Sequence, residues 1–218
     1  MNITLLSYTN LNICSQAIRT CWQSFDKSDN GGEKDRELID RVGNKYKHSS
    51  TLEHLSYTFY IQGISRACLQ ELARHRMASL SVKSSRYTLK ELKVEESFLP
   101  IDETNLQRAE KFLVFTENFQ VNESSIKALE NLRILLKDNI SNDLAKFAMP
   151  ESYKTELTWS INARSLQNFL HLRSSKSALW EIRNLALEVY NHIPEEHKFI
   201  FESIYKNKGE LCKFLNFG

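Results

Sequence analysis

The sequence predicts an α+β (mixed α/β) fold, a single domain over residues 1–218 with a central, mostly antiparallel sheet flanked by helices. Two stretches alternate apolar and polar residues as half-buried strands do, and most other segments have the spacing of amphipathic helices. The elements lack the regular strand–helix alternation of a parallel sheet. With 218 residues, 41% of them hydrophobic, the chain can bury one sizeable core.

The N-terminal part is predicted to begin with a strand and to continue with helices. Ile3–Tyr8 can form a short strand, and the apolar spacing along Leu11–Cys21 predicts a helix. Asp29–Glu33, with the sequence DNGGE, is typical of a turn. Glu33–Lys47 then carries its apolar residues on one side, which predicts a polar helix.

A strand and a helix precede the most basic part of the chain. Leu55–Gln62 alternates apolar and polar residues and is predicted to be a half-buried strand that ends at Gly63. Ile64–His75 is predicted to be a helix that runs directly into the basic residues. Two more helices follow, the second capped by Asn122: Thr104–Phe119 and Glu123–Lys137.

The C-terminal part contains the second alternating strand, Tyr153–Ile161. The predicted helices after it are Asn162–Arg173, Lys176–His192 and a last stretch from Pro194 to Tyr205.

Composition limits the classes of protein to which the chain can belong. A net charge of +2 and a pI of about 8.3 are too mild for a nucleic-acid coat or a polybasic membrane surface. The N-terminus lacks a signal-peptide pattern, and no run reaches the ~20 apolar residues of a membrane span. We expect a cytoplasmic protein with free thiols, no metal site, and neither nucleic acid nor membrane as partner. Its cysteines are Cys14, Cys21, Cys68 and Cys212, without a CxxC pair.

The most informative segment is Arg74–Tyr87, with the sequence RHRMASLSVKSSRY. Basic and hydroxyl side chains alternate there without an acidic residue, and both kinds of donor suit phosphate. On a helix, Arg74 and Arg76 would diverge by about 200°, so one pocket could use both only where two ligands or two subunits meet. A solvated basic helix end is the alternative interpretation.

A second constellation, SINARSLQNFLHLRSS, begins at the end of the second predicted strand. Arg164, Asn168 and His171 would share one helical face, whereas Arg173 would follow the apolar face. An arginine there is costly unless it has a partner. It either pairs with a buried carboxylate in a structural role or faces a ligand that needs a permanent cation.

The histidines His48 and His54 precede the first alternating strand. The sequence offers no convincing third ligand for a metal near them, so His48 is expected to contact a ligand and His54 to pack or cap. Dinucleotide-binding, P-loop and nucleophile-elbow motifs are missing from the sequence. Cys68, between Ala67 and Leu69 in a predicted helix, is typical of a small core residue.

These segments together resemble the flavin-dependent thymidylate synthases. The hallmark of that family is RHR, then seven intervening residues, then Ser; here Arg74-His75-Arg76 and the seven residues Met77–Lys83 precede Ser84-Ser85-Arg86-Tyr87. WSINARSLQNFLHLR at Trp159–Arg173 is similar to the second family block, and HSSTLEHLSYTF at His48–Phe59 to its histidine-containing segment. The resemblance covers most of the chain.

The resemblance implies a methyltransferase that converts dUMP to dTMP. It implies FAD as cofactor, 5,10-methylenetetrahydrofolate as carbon donor, NADPH as reductant, and a homotetramer with sites at subunit interfaces. Arg173 would be the catalytic residue that promotes ionisation of uracil N3, and no cysteine nucleophile is needed. The residues implied around dUMP are Glu71, Arg74, Ser84, Ser85, Arg86, Lys146 and Arg173. Those implied around FAD are His48, Ser50, Arg74, His75, Arg76, Val82, Asn162, Arg164 and Asn168.

Several positions depart from the common family pattern. Ser81 and Val82 replace an Asn and an acidic or amide residue, so a polar contact by Val82 must come from its backbone. Glu71 replaces a Gln and is expected to contact sugar or base, because a carboxylate beside phosphate is unfavourable. Lys146 replaces an Arg and keeps the charge without the bidentate fork. Ser177 replaces a His of some relatives.

Two other functions remain as alternatives to the enzyme. An RNA-binding module could use the basic stretch 74–93, although aromatic residues are not interleaved with the cations as in stacking platforms. A regulator could bind flavin or nucleotide without turnover, and Arg173 argues against it.

Overall fold

The structure, a computed structural model, describes residues 1–202 and 204. Its strands are β1 (Asn2–Tyr8), β2 (Ser56–Ser65), β3 (Ala78–Val82) and β4 (Lys154–Asn162). They form one antiparallel sheet in the order β1-β2-β4-β3. This confirms the predicted α+β class with a mostly antiparallel sheet, and the domain extent of residues 1–218 stays a prediction.

Helices make up most of the rest of the described chain. The α-helices are α1 (Leu11–Thr20), α2 (Glu33–Ile39), α3 (Arg66–Leu72), α4 (Ser85–Thr88), α5 (Lys90–Lys93), α6 (Glu103–Ala109), α7 (Phe119–Lys137), α8 (Asn142–Ala145), α9 (Ala163–Arg173) and α10 (Trp180–Asn191). Shorter segments are the 3-10 helices Phe25–Lys27, Ser49–His54, Lys146–Ala148 and Glu195–Ile200, and the π-helix Asp40–Lys45. Within the described residues, every helix is too short or too polar to cross a membrane.

Contacts divide the chain into two compact units. The first unit comprises Met1–Asn2, Ile61–Glu71 and Ser81–Leu157, and the second comprises Ile3–Tyr60, Leu72–Leu80 and the residues from Thr158 onward. The core of the first unit includes one side of α7, where buried apolar residues recur every three or four positions. These are Ile126, Leu129, Leu132 and Leu136.

The core of the second unit is aromatic. Trp159 of β4 packs against Phe169 of α9 with ring centroids 5.0 Å apart, and against Phe59 of β2 at 6.0 Å. All three side chains are fully buried. This stack anchors the start of α9 to the strands, because Trp159 and Phe169 flank the strand–helix junction.

Each unit also contains a buried ion pair. In the second unit, Arg19 Nη2 lies 2.6 Å from Asp35 Oδ1. Burial acts to raise the pKa of Asp35, but hydrogen bonds from Arg19, Gly31 N–H and Ser28 outweigh it and lower this pKa to about 2. In the first unit, the hydrogen bond from Arg133 is the main cause that lowers the pKa of Glu130 to about 2.

The predicted helix Ile64–His75 is wrong at both ends. β2 continues to Ser65 through Gly63, which has a φ of +74°, a conformation that glycine takes without strain. α3 then ends at Leu72. The chain re-enters the sheet as β3, which the sequence did not predict because this strand is only five residues long and lies inside the basic segment.

The predicted helix Thr104–Phe119 is also too long. α6 ends at Ala109, and the following residues instead form backbone hydrogen bonds beside β4: Lys154 N donates to Phe112 O at 2.7 Å and Val114 N to Ser152 O at 2.8 Å. The cap of α7 is Asn118, whose Oδ1 accepts from Val121 N at 3.1 Å. Asn122, the predicted cap, lies inside α7.

Other predicted elements differ in length. The predicted helix Lys176–His192 begins only at Trp180, and Glu33–Lys47 consists of α2 followed by the π-helix. The last stretch from Pro194 contains a 3-10 helix, and its predicted end at Tyr205 lies outside the described residues, as does Cys212. The predicted strands Ile3–Tyr8, Leu55–Gln62 and Tyr153–Ile161 and the helices Leu11–Cys21, Glu123–Lys137 and Asn162–Arg173 are confirmed with shifted ends.

Candidate functional site

The second unit contains a cavity of about 970 Å³. The predicted site residues on its lining are Arg74, His75, Arg76, Asn162, Arg164, Asn168 and Arg173. Four of these are arginines, whereas the acidic side chain on the described lining is Glu53. The cavity therefore favours an anionic ligand.

The N-terminus of α9 is positioned by its cap. Asn162 has extended backbone angles, and its Oδ1 accepts a hydrogen bond from Ser165 N at 2.9 Å. Because the amide oxygen accepts this hydrogen bond, the Nδ2 group of Asn162 is the part that can donate to a ligand.

The polar face of α9 forms one wall of the cavity. Arg164, Asn168 and His171 all line it, while Leu166 and Phe169 are fully buried on the opposite side. The prediction that Arg164, Asn168 and His171 share one face of the helix is thus confirmed, as the helical period requires.

Arg164 already has an acidic partner in the cavity. Its Nη1 lies 2.6 Å from Oε1 of Glu53, at the end of the 3-10 helix that precedes β2. Both side chains are about half exposed. The pair orients Arg164 across the cavity without removing it from solvent.

Arg173 is the last residue of α9 and is half-buried. Its Nε donates a hydrogen bond to Nε2 of His75 at 2.9 Å. One partner of this arginine is therefore an imidazole nitrogen on the cavity lining. The Nε atom donates to His75, and Arg173 also lines the cavity.

Arg74 and Arg76 line the same cavity of one chain. The prediction that they diverge by a helical rotation was wrong, because both lie beyond the end of α3 in non-helical backbone. Two ligands or two subunits are not required for one pocket to use both arginines.

Two residues predicted to bind the cofactor, His48 and Ser50, are exposed in the second unit. Neither is part of the cavity lining, whereas Ser49 between them is. His48 instead ends the preceding turn, and its backbone oxygen accepts from Thr51 Oγ1 at 2.9 Å.

The first unit carries the Ser84-Ser85-Arg86 group. Ser84 precedes α4, and Ser85 lines a separate cavity of about 530 Å³ in that unit. Arg86 Nε lies 2.7 Å from Asp143 Oδ1, and both side chains are more than half exposed. Such a pair contributes little stability and can exchange its carboxylate for a phosphate.

Lys146 follows α8, the helix whose side chains contact Arg86. Asp143 and Asn142 of α8 contact Arg86, the latter through Nδ2 to the Arg86 carbonyl at 2.6 Å. Lys146 begins the next 3-10 segment and is exposed. The structure thus brings two predicted dUMP residues from distant sequence positions to one helical segment.

The remaining predicted residues lie at the ends of elements in the first unit. Glu71 is in the last turn of α3 and is partly buried. Val82 ends β3 and is 40% exposed, so its side chain adds no polar group.

Sequence reasoning missed Glu53 and Gln167 on the lining. Gln167 Nε2 donates to Asn44 Oδ1 at 3.0 Å and to Ile200 O at 2.7 Å, which ties α9 to its surroundings. Its position three residues after Arg164 was the available signal, because i,i+3 neighbours share a helix face.

The buried thiols of Cys14 and Cys68 are poorly suited to nucleophilic attack, and the exposed Cys21 is not part of the cavity lining. Cys14 Sγ donates to Thr51 O at 3.2 Å, and burial raises the pKa of this thiol to about 12. Cys68 is fully buried, as expected of a core residue. The cavity offers permanent cations and amide and hydroxyl donors, which can bind phosphates and stabilise negative charge that develops beside Arg173.

Comparisons with known proteins agree on one family. The family described as thymidylate synthase complementing protein matches residues 4–197. The chain is 71% identical over 201 residues to the flavin-dependent thymidylate synthase of Wolinella succinogenes, covering 92% of this chain and 97% of the relative. It is 65% identical over 208 residues to that of Helicobacter pylori, covering 95% and 100%.

Solved structures give the same result for the fold. The crystal structure of thymidylate synthase X from Helicobacter pylori with FAD and dUMP superposes with a TM-score of 0.91 at 64% sequence identity. The match covers 94% of this chain and all of that one, 100%.

Proposed function

The chain belongs to the flavin-dependent thymidylate synthases, and from this premise we propose that it methylates dUMP to dTMP with FAD, 5,10-methylenetetrahydrofolate and NADPH. A methylene group must gain two electrons to become a methyl group. The balance is then dUMP, methylenetetrahydrofolate, NADPH and a proton on one side, and dTMP, tetrahydrofolate and NADP⁺ on the other. The observation that carries the proposal is the arginine-lined cavity with Arg173 fixed at its edge.

The donor set of the cavity fits FAD. Its volume of about 970 Å³ is at the upper end of the range of ligand pockets. Arg74, Arg76 and Arg164 supply cations for a pyrophosphate, and Asn162 and Asn168 supply amide donors for the uncharged parts. When bound, FAD would supply the redox chemistry that links NADPH to the methylene carbon.

Within this proposal Arg173 activates the uracil. A guanidinium beside N3 stabilises the negative charge that remains when the N3 proton leaves, and it does so without changing its own charge. The resulting electron-rich ring can be methylated at C5 without a covalent bond to a cysteine. The buried Cys14 and Cys68 are consistent with such a route.

The dUMP phosphate is assigned to Ser84, Ser85 and Arg86, with Lys146 as a further cation. The exposed Arg86–Asp143 pair supports this, because Arg86 can turn to a phosphate at little cost. Glu71 is assigned to the sugar or base, and Arg74 and Arg173 complete the dUMP set. His48, Ser50, His75 and Val82 complete the FAD set.

We also propose that the enzyme is a cytoplasmic homotetramer with sites at subunit interfaces. The support is the resemblance of the two motif blocks to the family. Analytical ultracentrifugation of the purified protein tests the assembly, and a species of about four chain masses is expected.

Purification and assay test the proposed reaction. The protein should bind FAD, and with dUMP, methylenetetrahydrofolate and NADPH it should produce dTMP and tetrahydrofolate in equal amounts. Dihydrofolate in place of tetrahydrofolate would contradict the electron balance. Absence of bound flavin at saturating FAD would overturn the proposal as a whole.

A further inference from the structure

His75 is held in one orientation by its neighbours. The residue is 9% exposed, and its ring packs edge-on against Phe169, with ring centroids 5.0 Å apart and planes at 79°. Phe169 packs in turn on Trp159, and both are fully buried. The imidazole therefore extends the rigid aromatic core of the second unit to the edge of the cavity.

The fixed ring presents one nitrogen to Arg173. Because a guanidinium can only donate, the 2.9 Å contact from Arg173 Nε requires a lone pair on His75 Nε2. The bond therefore needs the imidazole form that carries its proton on Nδ1. A doubly protonated ring would lose this bond and place a second cation beside Arg173.

We propose that His75 is a positioning residue that fixes the plane of the Arg173 guanidinium, so that Nη1 and Nη2 meet the uracil in the orientation that N3 ionisation requires. This inference rests on the role proposed above for Arg173. A free arginine side chain samples many rotamers, and the bond at Nε selects among them before dUMP binds. The cofactor contact expected of His75 is a separate role, because the Nε2 atom serves Arg173.

Two substitutions of His75 separate positioning from packing. His75→Phe keeps an aromatic ring against Phe169 but has no acceptor, whereas His75→Gln offers an amide oxygen to Arg173 Nε. Assayed at saturating FAD, His75→Phe is expected to lower kcat roughly ten- to a hundredfold, because small misplacements of catalytic groups cost rates of that order. His75→Gln should recover most of the lost kcat.

A double-mutant comparison gives a readout that packing alone would not produce. Calorimetric titration measures the Kd of dUMP even in inactive variants. His75→Phe should weaken dUMP binding when Arg173 is present and should have no further effect in Arg173→Ala, where no guanidinium remains to be positioned.

The outcomes distinguish this inference from the proposed function. Wild-type kcat in His75→Phe, or the same loss of dUMP affinity in the presence and absence of Arg173, would overturn the positioning role while dTMP synthesis stands. Full activity of Arg173→Ala would instead remove the proposed role of Arg173 itself. If His75→Phe does not fold, a His75→Gln variant with near-normal kcat supports the inference and one with a hundredfold loss at normal FAD content overturns it.

Discussion

Arg164 Nη1 and Glu53 Oε1 lie 2.6 Å apart on the lining of one cavity. The pair joins α9 to the segment before β2 and places a negative charge where an anionic cofactor is proposed to bind. Because the side chains are 54% and 46% exposed, such a pair contributes at most about 1 kcal/mol. A phosphate can therefore replace the Glu53 carboxylate on Arg164.

The first prediction concerns Glu53→Gln. Removal of the carboxylate leaves Arg164 available and takes away repulsion toward the pyrophosphate, so FAD should bind about two- to fivefold more tightly. Quenching of flavin fluorescence on titration measures the Kd, and the gain should shrink at high salt. Glu37→Gln is the matched control, because it removes a charge from an exposed residue of the same unit outside the lining. Weaker FAD binding in Glu53→Gln would show that the pair positions Arg164 instead.

The second prediction concerns Arg173→Ala. The variant should retain most of its FAD affinity but lose nearly all turnover, on the order of a thousandfold in kcat, because the cation that stabilises the N3 anion is gone. Steady-state dTMP formation and bound flavin content measure the two properties separately. Arg41→Ala, at an exposed arginine of the same unit, should leave both unchanged. Activity of Arg173→Ala close to that of the wild type would refute the assigned role.

The face of α9 that lines the cavity could be predicted from the sequence, because the helical period alone places Arg164, Asn168 and His171 together. The same spacing also placed Arg173 on the apolar face of that helix, where a cation without a partner is unfavourable. The contact between Arg173 and His75 could not be predicted, since the two residues are 98 positions apart and become adjacent only when the chain folds.

The non-helical backbone at Arg74 and Arg76 could not be predicted from the local sequence pattern either. The apolar spacing before them is helical, and nothing local shows that α3 ends at Leu72 and that β3 joins the sheet. Strand pairing depends on a partner elsewhere in the chain, which here is β4. The Glu53–Arg164 pair was missed for the same reason, because the two residues come from segments 111 positions apart.

The third prediction concerns Lys146. Lys146→Ala should weaken dUMP binding roughly tenfold and leave FAD binding almost unchanged, because a charge-assisted contact to phosphate is lost. Lys146→Arg should bind dUMP at least as well as the wild type, since it restores a bidentate fork. Calorimetric titrations with each ligand give the comparison, and Lys137→Ala, at an exposed lysine of the same unit, serves as the control. Unchanged dUMP affinity in Lys146→Ala would exclude the contact.

The fourth prediction concerns stability in acid and the buried Arg19–Asp35 pair. The pKa of Asp35 is lowered from 3.8 to about 2 in the folded protein, so its stabilising contribution is present above pH 3.8 and is lost as the pH falls toward 2. The difference in pKa corresponds to about 2 kcal/mol in the free energy of unfolding. Asp35→Asn should lower that free energy at pH 7 by about 3–5 kcal/mol, because Arg19 becomes an uncompensated buried charge.

The acid dependence itself provides the sharper measurement for this pair. Urea unfolding followed by circular dichroism between pH 5 and pH 2, with Asp26→Asn as the exposed control, should show a flatter decline for Asp35→Asn than for the wild type. Part of the decline persists in every variant, because Glu130 in the first unit also has a pKa of about 2. The informative quantity is therefore the difference between Asp35→Asn and the wild type. A difference that does not narrow as the pH approaches 2 would mean that Asp35 is not the group whose protonation weakens the second unit.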